Sequence, residues 1–206
     1  MTRRIIGIIS VFAGLLATNA FAVELVVNGG FETPAVTGGG GFDYRTGSQL
    51  TGWQINALRG EPQFNGSYFG QTVGSGLQSL QLESISPITQ SFATTPGQAY
   101  TLSFLFSSYN STPGIDDATL EVMVAGVNAN FLATDAAYLT EIVQFTALDN
   151  TTTLSFRNSG VFAQDWAHLD NVSVAAAGSA VPEPGSLALL GGAFAAFGLS
   201  RRRKKT

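Results

Sequence analysis

Two carboxylates at opposite ends of the chain have the clearest chemical potential. Glu32 follows Asn28-Gly29-Gly30-Phe31, and Asp170 has the same parity as Val172 and Val174 in an alternating stretch. If those valines face a core, period-two alternation turns Asp170 toward it as well, and a buried carboxylate needs a cation, backbone donors or an arginine. Hard oxygen ligands from Glu32, Asp170 and nearby carbonyls would suit calcium. The spacing fits equally well an exposed Glu32 and an Asp170 that caps a turn. A second group is aromatic. Tyr44, Tyr68, Phe69, Tyr109 and Trp166 lie in or beside polar, Gly-rich segments, where rings can stack on pyranose C–H faces while amides and carboxylates bond the hydroxyls. Trp166, after Gln164-Asp165, fits a loop cleft or a plug at the end of a barrel, whereas Trp53 reads as core.

Catalytic constellations are thinner. His168 is the single histidine and could pair with Asp165, Asp170 or a serine, but no Gly-x-Ser-x-Gly elbow presents a nucleophile. Acid pairs for glycoside hydrolysis could be drawn from Asp116, Asp117, Asp135 and Asp149, yet Asp116-Asp117 follows Pro113-Gly114 and reads as solvated turn acids. The chain has no cysteine, which excludes disulfides, thiolate metal sites and a cysteine nucleophile. Gly38 to Gly41 lacks the lysine of a phosphate loop and reads as a flexible connection. The expectation is a protein that is not an enzyme.

These side chains must be positioned by strands. Tyr100, Leu102, Phe104 and Phe106 alternate with Thr101, Ser103, Leu105 and Ser107; Leu120, Val122 and Val124 alternate with polar neighbours, as do Leu154 and Phe156. Val143 and Phe145 mark another strand, and further candidates cover 23–28, 51–57, 77–83 and 88–93. Eight or more short strands, apolar on one face, predict an all-β fold: a jelly-roll sandwich of two antiparallel sheets.

The two ends read as addresses. Arg3 and Arg4 precede an apolar run from Ile5 to Leu16 that closes on Ala20-Phe21-Ala22, the three-part pattern of a secretory signal (1–22) that signal peptidase would cut after Ala22. At the other end a linker, 178–186, holds Pro182-Glu183-Pro184, and 187–206 comprises an apolar run and the cations Arg201 to Lys205. Cations after an apolar run stay cytoplasmic, so this helix would anchor the chain in the membrane at least transiently, with everything before it outside. Between the ends, Val23 to Ala180 carries Arg45, Arg59 and Arg157 against 13 acidic residues, a formal charge of −10. That balance repels polyanions and argues against nucleic acid.

The Pro-Glu-Pro triplet, the Gly/Ala/Leu-rich run and the basic end resemble a PEP-CTERM sorting tail. The resemblance implies recognition by an exosortase in bacteria that make extracellular polysaccharide, and an exported protein that is membrane-anchored at first and later belongs to the cell surface or extracellular matrix. Within 23–177, Asn28-Gly29-Gly30-Phe31-Glu32, Gly52-Trp53, Gly97-Gln98-Ala99-Tyr100-Thr101-Leu102 and Leu169-Asp170-Asn171-Val172 resemble, in that order, a galactose-binding-like jelly roll. Its relatives include carbohydrate-binding modules and cell-wall proteins with a similar Asn-Gly-x-Phe-Glu start. The resemblance implies one structural Ca2+ held by Glu32 and Asp170, although Leu-Asp-Asn stands where many relatives have paired acids. The expected function is non-catalytic binding of extracellular polysaccharide through Tyr44, Tyr68, Tyr109 and Trp166. The alternatives are a matrix adhesion protein that binds other proteins and a secreted glycan hydrolase.

Overall fold

The computed structural model describes residues 23–66, 68, 71–83, 85–109, 117–160 and 166–177. The expected signal cleavage residues Ala20 and Ala22, the sorting residues Pro182, Glu183 and Pro184, both terminal helices and Phe69, Asp116 and Asp165 lie outside them. No helix among the described residues is long and apolar enough to cross a membrane.

The described residues form eleven strands: β1 (Phe42–Arg45), β2 (Gln54–Ile55), β3 (Glu61–Asn65), β4 (Gln78–Leu82), β5 (Ile88–Ala93), β6 (Ala99–Ser108), β7 (Ala118–Val124), β8 (Val127–Ala133), β9 (Leu139–Thr146), β10 (Thr151–Asn158) and β11 (Ala167–Ala176). They build two antiparallel sheets, β1-β3-β4-β11-β6-β9 and β2-β5-β10-β7-β8. The chain is therefore all-β, as its alternation predicts. Tyr100, Leu102, Phe104 and Phe106 of β6 are buried, and the Phe104 ring meets Phe131 of β8 and Phe156 of β10 edge-on at 5.3 and 5.2 Å across the core. Burying side chains of this size contributes about 1.5–3 kcal/mol each, which is how a domain without disulfides holds together. Segment 23–28, expected as a strand, is not one; it makes a single ladder-like bond, Leu25 N to Val174 O at 3.0 Å.

The decisive irregularity is in β11. Its register against β6 shifts between Asp170 and Ser173, and Asn171 adopts φ 46°. Ala167 and Leu169 face the core before this bulge, and Val172 and Val174 face it afterwards. One extra residue reverses the parity, so Asp170 shares the outer face of the sheet with His168 rather than the core face with the two valines. The parity argument of the sequence is corrected on this point. Asp170 is nonetheless fully buried, because loops cover that outer face.

The bulge also explains why the sequence motifs occur together. Val172 N donates to Gly29 O at 2.9 Å, and a Cβ on Gly29 would stand 1.8 Å from Val172 O. Only glycine allows this approach. Asn28 then turns the chain at φ 54°, its side chain bonding Thr33 N, Thr33 O and Thr51 O, while its carbonyl receives Trp53 Nε1 at 3.2 Å. Trp53 is buried, as expected.

Candidate functional site

Glu32 and Asp170 grip the same loop, residues 74–78. Asp170 Oδ2 accepts from Ser75 N at 2.7 Å and from Ser79 Oγ at 2.8 Å, and its Oδ1 accepts from Asn171 N at 2.6 Å. Glu32 Oε1 accepts from Leu77 N at 2.7 Å and Gln78 N at 3.1 Å. Burial pushes the Asp170 carboxyl up to about 6, while the bonds from Ser79, Ser75 and Asn171 pull it down and the negative Glu32 adds to the rise. Calcium takes six to eight oxygens. Here the loop's donors stand where a cation would approach Asp170 Oδ2 and Glu32 Oε1, and among the described residues no third acidic or imidazole group completes a metal cluster. In this arrangement the two side chains clamp the loop.

The outer face of the six-stranded sheet carries a layer of rings around His168. Phe64 lies 4.7 Å from its imidazole, Tyr109 5.9 Å and Tyr138 6.5 Å. Burial lowers the His168 pKa to about 3, so the ring is neutral. A polar chain runs from it to the rim: His168 Nε2 meets Gln81 Oε1 at 2.8 Å, Gln81 Nε2 donates to Glu83 Oε1 at 2.6 Å, and the Tyr44 hydroxyl donates to Glu83 Oε2 at 3.1 Å. With the Gln81 amide nitrogen directed at Glu83, its oxygen faces the imidazole, which assigns the His168 proton to Nε2. Burial, followed by the Glu83 charge, raises Tyr44 to about 12. This histidine has neither solvent access nor a suitable pKa for proton transfer to a dissolved substrate.

The four aromatic candidates divide. Tyr44 is exposed at the rim. Tyr68 is buried against Phe42 and Phe64, with ring centroids at 5.0 and 5.5 Å, so its ring fills the layer. Tyr109 and Trp166 are half-buried and meet edge-on at 4.8 Å. Trp166 also lines a cleft of about 510 Å³ with Leu58, Arg59, Glu83, Ile85 and Ser86. Leu58 and Ile85 are exposed. Sequence reasoning missed Arg59 and Glu83. The alternation of Gln81 and Glu83 with Leu80 and Leu82 was the available signal for Glu83, whereas nothing local marks Arg59. Of the acids considered for hydrolysis, Asp135 caps its own turn through Ala137 N at 2.8 Å before β9, and Asp149 follows the far end of that strand.

Residues 24–175 match the family described as Protein of unknown function (DUF642). The chain belongs to that family. Residues 180–204 match the PEP-CTERM protein-sorting motif, which marks the DUF642 domain for export and sorting to the cell surface and implies processing by an exosortase. No curated protein matches the chain in sequence. Among solved structures, the arabinose-bound α-L-arabinofuranosidase MgGH51 is 15% identical over 74% of this chain and 26% of its own, with a TM-score of 0.52. The Family 16 Carbohydrate Binding Module-2 is 15% identical over 73% and 98%, with a TM-score of 0.46. The CBM22-1 xylan-binding domain of Paenibacillus barcinonensis Xyn10C is 16% identical over 65% and 89%, also at 0.46. At such identities the likeness concerns the fold.

Proposed function

We propose that this exported protein is a non-catalytic carbohydrate-binding protein of the cell surface or extracellular matrix, held at the membrane at first through its apolar tail, and that it takes sugar in the Trp166 cleft. The observation that carries this reading is the composition of the cleft. An indole sits beside exposed Leu58 and Ile85, flanked by a guanidinium and a carboxylate, which is the combination of apolar surface and convergent hydrogen-bonding groups that a pyranose requires. Extracellular polysaccharide is the partner that the sorting motif makes available. The non-catalytic part is supported by the neutral, enclosed His168 and by Glu61, which is buried and whose Oε2 accepts from Glu83 N at 2.6 Å.

A glycan array probed with the full chain, with and without chelator, tests the reading. Binding of a neutral oligosaccharide that is lost in Trp166→Ala supports it; failure of every glycan removes it. Leu58 and Ile85 also suit contact with another protein, so matrix adhesion through a protein partner is the reading that gains if all sugars fail. Release of shortened product from any glycan would favour a hydrolase.

A further inference from the structure

Three arginines serve the domain, and two are paired: Arg45 with Asp43 at 3.1 Å and Arg157 with Glu121 at 2.7 Å. Arg59 is different. Among the described residues it forms no ion pair and no hydrogen bond, and it is exposed in the cleft wall. In a domain whose formal charge is −10, an unpaired guanidinium is unexpected, since the surrounding field favours pairing. The carboxylate in the same wall is not its partner. Glu83 directs its oxygens at the Gln81 amide and the Tyr44 hydroxyl. Among the described residues the planar fork of Arg59 is thus left open in a cleft that also offers Trp166, Leu58 and Ile85.

A guanidinium fork matches a carboxylate through two parallel hydrogen bonds and does so better than it matches scattered hydroxyls. The rest of the domain imposes the opposite preference. A polymer charged on every unit would lay its further carboxylates against a negative surface within a Debye length of about 8–10 Å. Both conditions are met by a chain that is mostly neutral and carries an occasional acid. Resting on the carbohydrate reading above, we infer that the cleft selects largely neutral glycans bearing sparse uronic acid units, with Arg59 taking the carboxylate as the specificity-determining residue.

The test is a panel of oligosaccharides on xylan, glucan, galactan and mannan backbones. Each bears one uronic acid and is paired with its carboxyl-reduced counterpart, which differs only in having an alcohol there. The pairs are titrated calorimetrically into the full chain and into Arg59→Gln. For at least one backbone the acid form binds about tenfold or more tighter than the reduced form, and Arg59→Gln removes the gap by weakening the acid form far more than the reduced form. If sugars bind but no pair differs, or if the gap survives in Arg59→Gln, the inference is overturned and the carbohydrate reading stands. Polygalacturonate binding tightest of all overturns the sparse-charge preference. If neither member of any pair binds, the carbohydrate reading itself falls.

Discussion

Acid titration of the two buried groups on the outer face of the six-stranded sheet gives the most demanding prediction. His168 is held neutral by burial among Phe64, Tyr109 and Tyr138, with a pKa of about 3 against 6.5 for the free side chain. A depressed histidine contributes stability that is complete above pH 6.5 and is lost as pH falls toward 3, at about 1.4 kcal/mol per pH unit. Asp170, facing Ser75, Ser79, Glu32 and Tyr138, has the opposite sign: burial raises it from 3.8 to about 6. Its contribution is complete below 3.8 and is lost as pH rises through 6. Between about pH 6 and pH 4 the two slopes oppose each other, each amounting to about 3 kcal/mol over the window. Asp170→Asn, which removes the compensating slope, therefore loses about 3 kcal/mol relative to the unmodified protein on going from pH 6 to pH 4. His168→Gln gains about the same amount over that interval. Both variants change stability at neutral pH through lost contacts, so the quantity read is the change with pH. Urea unfolding of the full chain, followed by tryptophan fluorescence in chelator at several pH values, measures it. Parallel pH profiles for all three proteins would refute the assignment of these charge states.

Three further outcomes follow from the geometry. Trp166→Ala lowers glycan affinity about tenfold or more while barely moving the melting midpoint, because the indole is half-buried and meets Tyr109 edge-on at the rim; calorimetric titration beside a melting curve separates the two effects. Gly76→Ala costs about 1–3 kcal/mol, since φ is +64° and a Cβ would lie 2.1 Å from Glu32 Oε1, whereas Gly39→Ala, with nothing within 4 Å, is neutral; urea midpoints that fail to distinguish them would remove the clamp from the account. Added calcium leaves the melting midpoint unchanged, because protein donors already occupy Glu32 Oε1 and Asp170 Oδ2. A rise that chelator reverses would show that the loop yields those oxygens to an ion.

The all-β class was legible because alternation is a local signal: β6 and β10 announce their core faces in four or five residues each. Strands β1, β3 and β8 gave no such signal. In β3, Glu61 and Gln63 are buried polar residues satisfied by partners far along the chain, such as Gln63 Nε2 to Phe31 O at 2.6 Å; a window of ten residues holds no trace of that partner. In β8, Asn128 and Asn130 alternate with Val127, Ala129 and Phe131 at an edge, where small residues blur the pattern. The bulge in β11 depends on Gly29, about 140 residues earlier, which is why the face of Asp170 was misread while its burial was anticipated. Trp166 was legible as a loop aromatic. Its companions were not, because Leu58, Arg59 and Ile85 come from two other connections and meet it only through the sheet topology.

That topology also fixes which end of the sandwich does what. Antiparallel pairing places Ala167 opposite Leu82 and Ser108, so the β2–β3, β4–β5 and β10–β11 connections, which build the cleft, share one end. Ala176 pairs with Tyr100 at the other end of β11, and Leu25 joins Val174 there. A strand of ten residues spans about 30 Å. Ala177, the last of the described residues, therefore follows β11 at the end remote from the cleft. The side chains of the cleft are thus separate from the Leu25–Val174 contact at the opposite end of β11. Arg59, without an ion pair among the described residues, lies at that cleft end, and a ligand contact there need not compete with the contacts that hold the fold together.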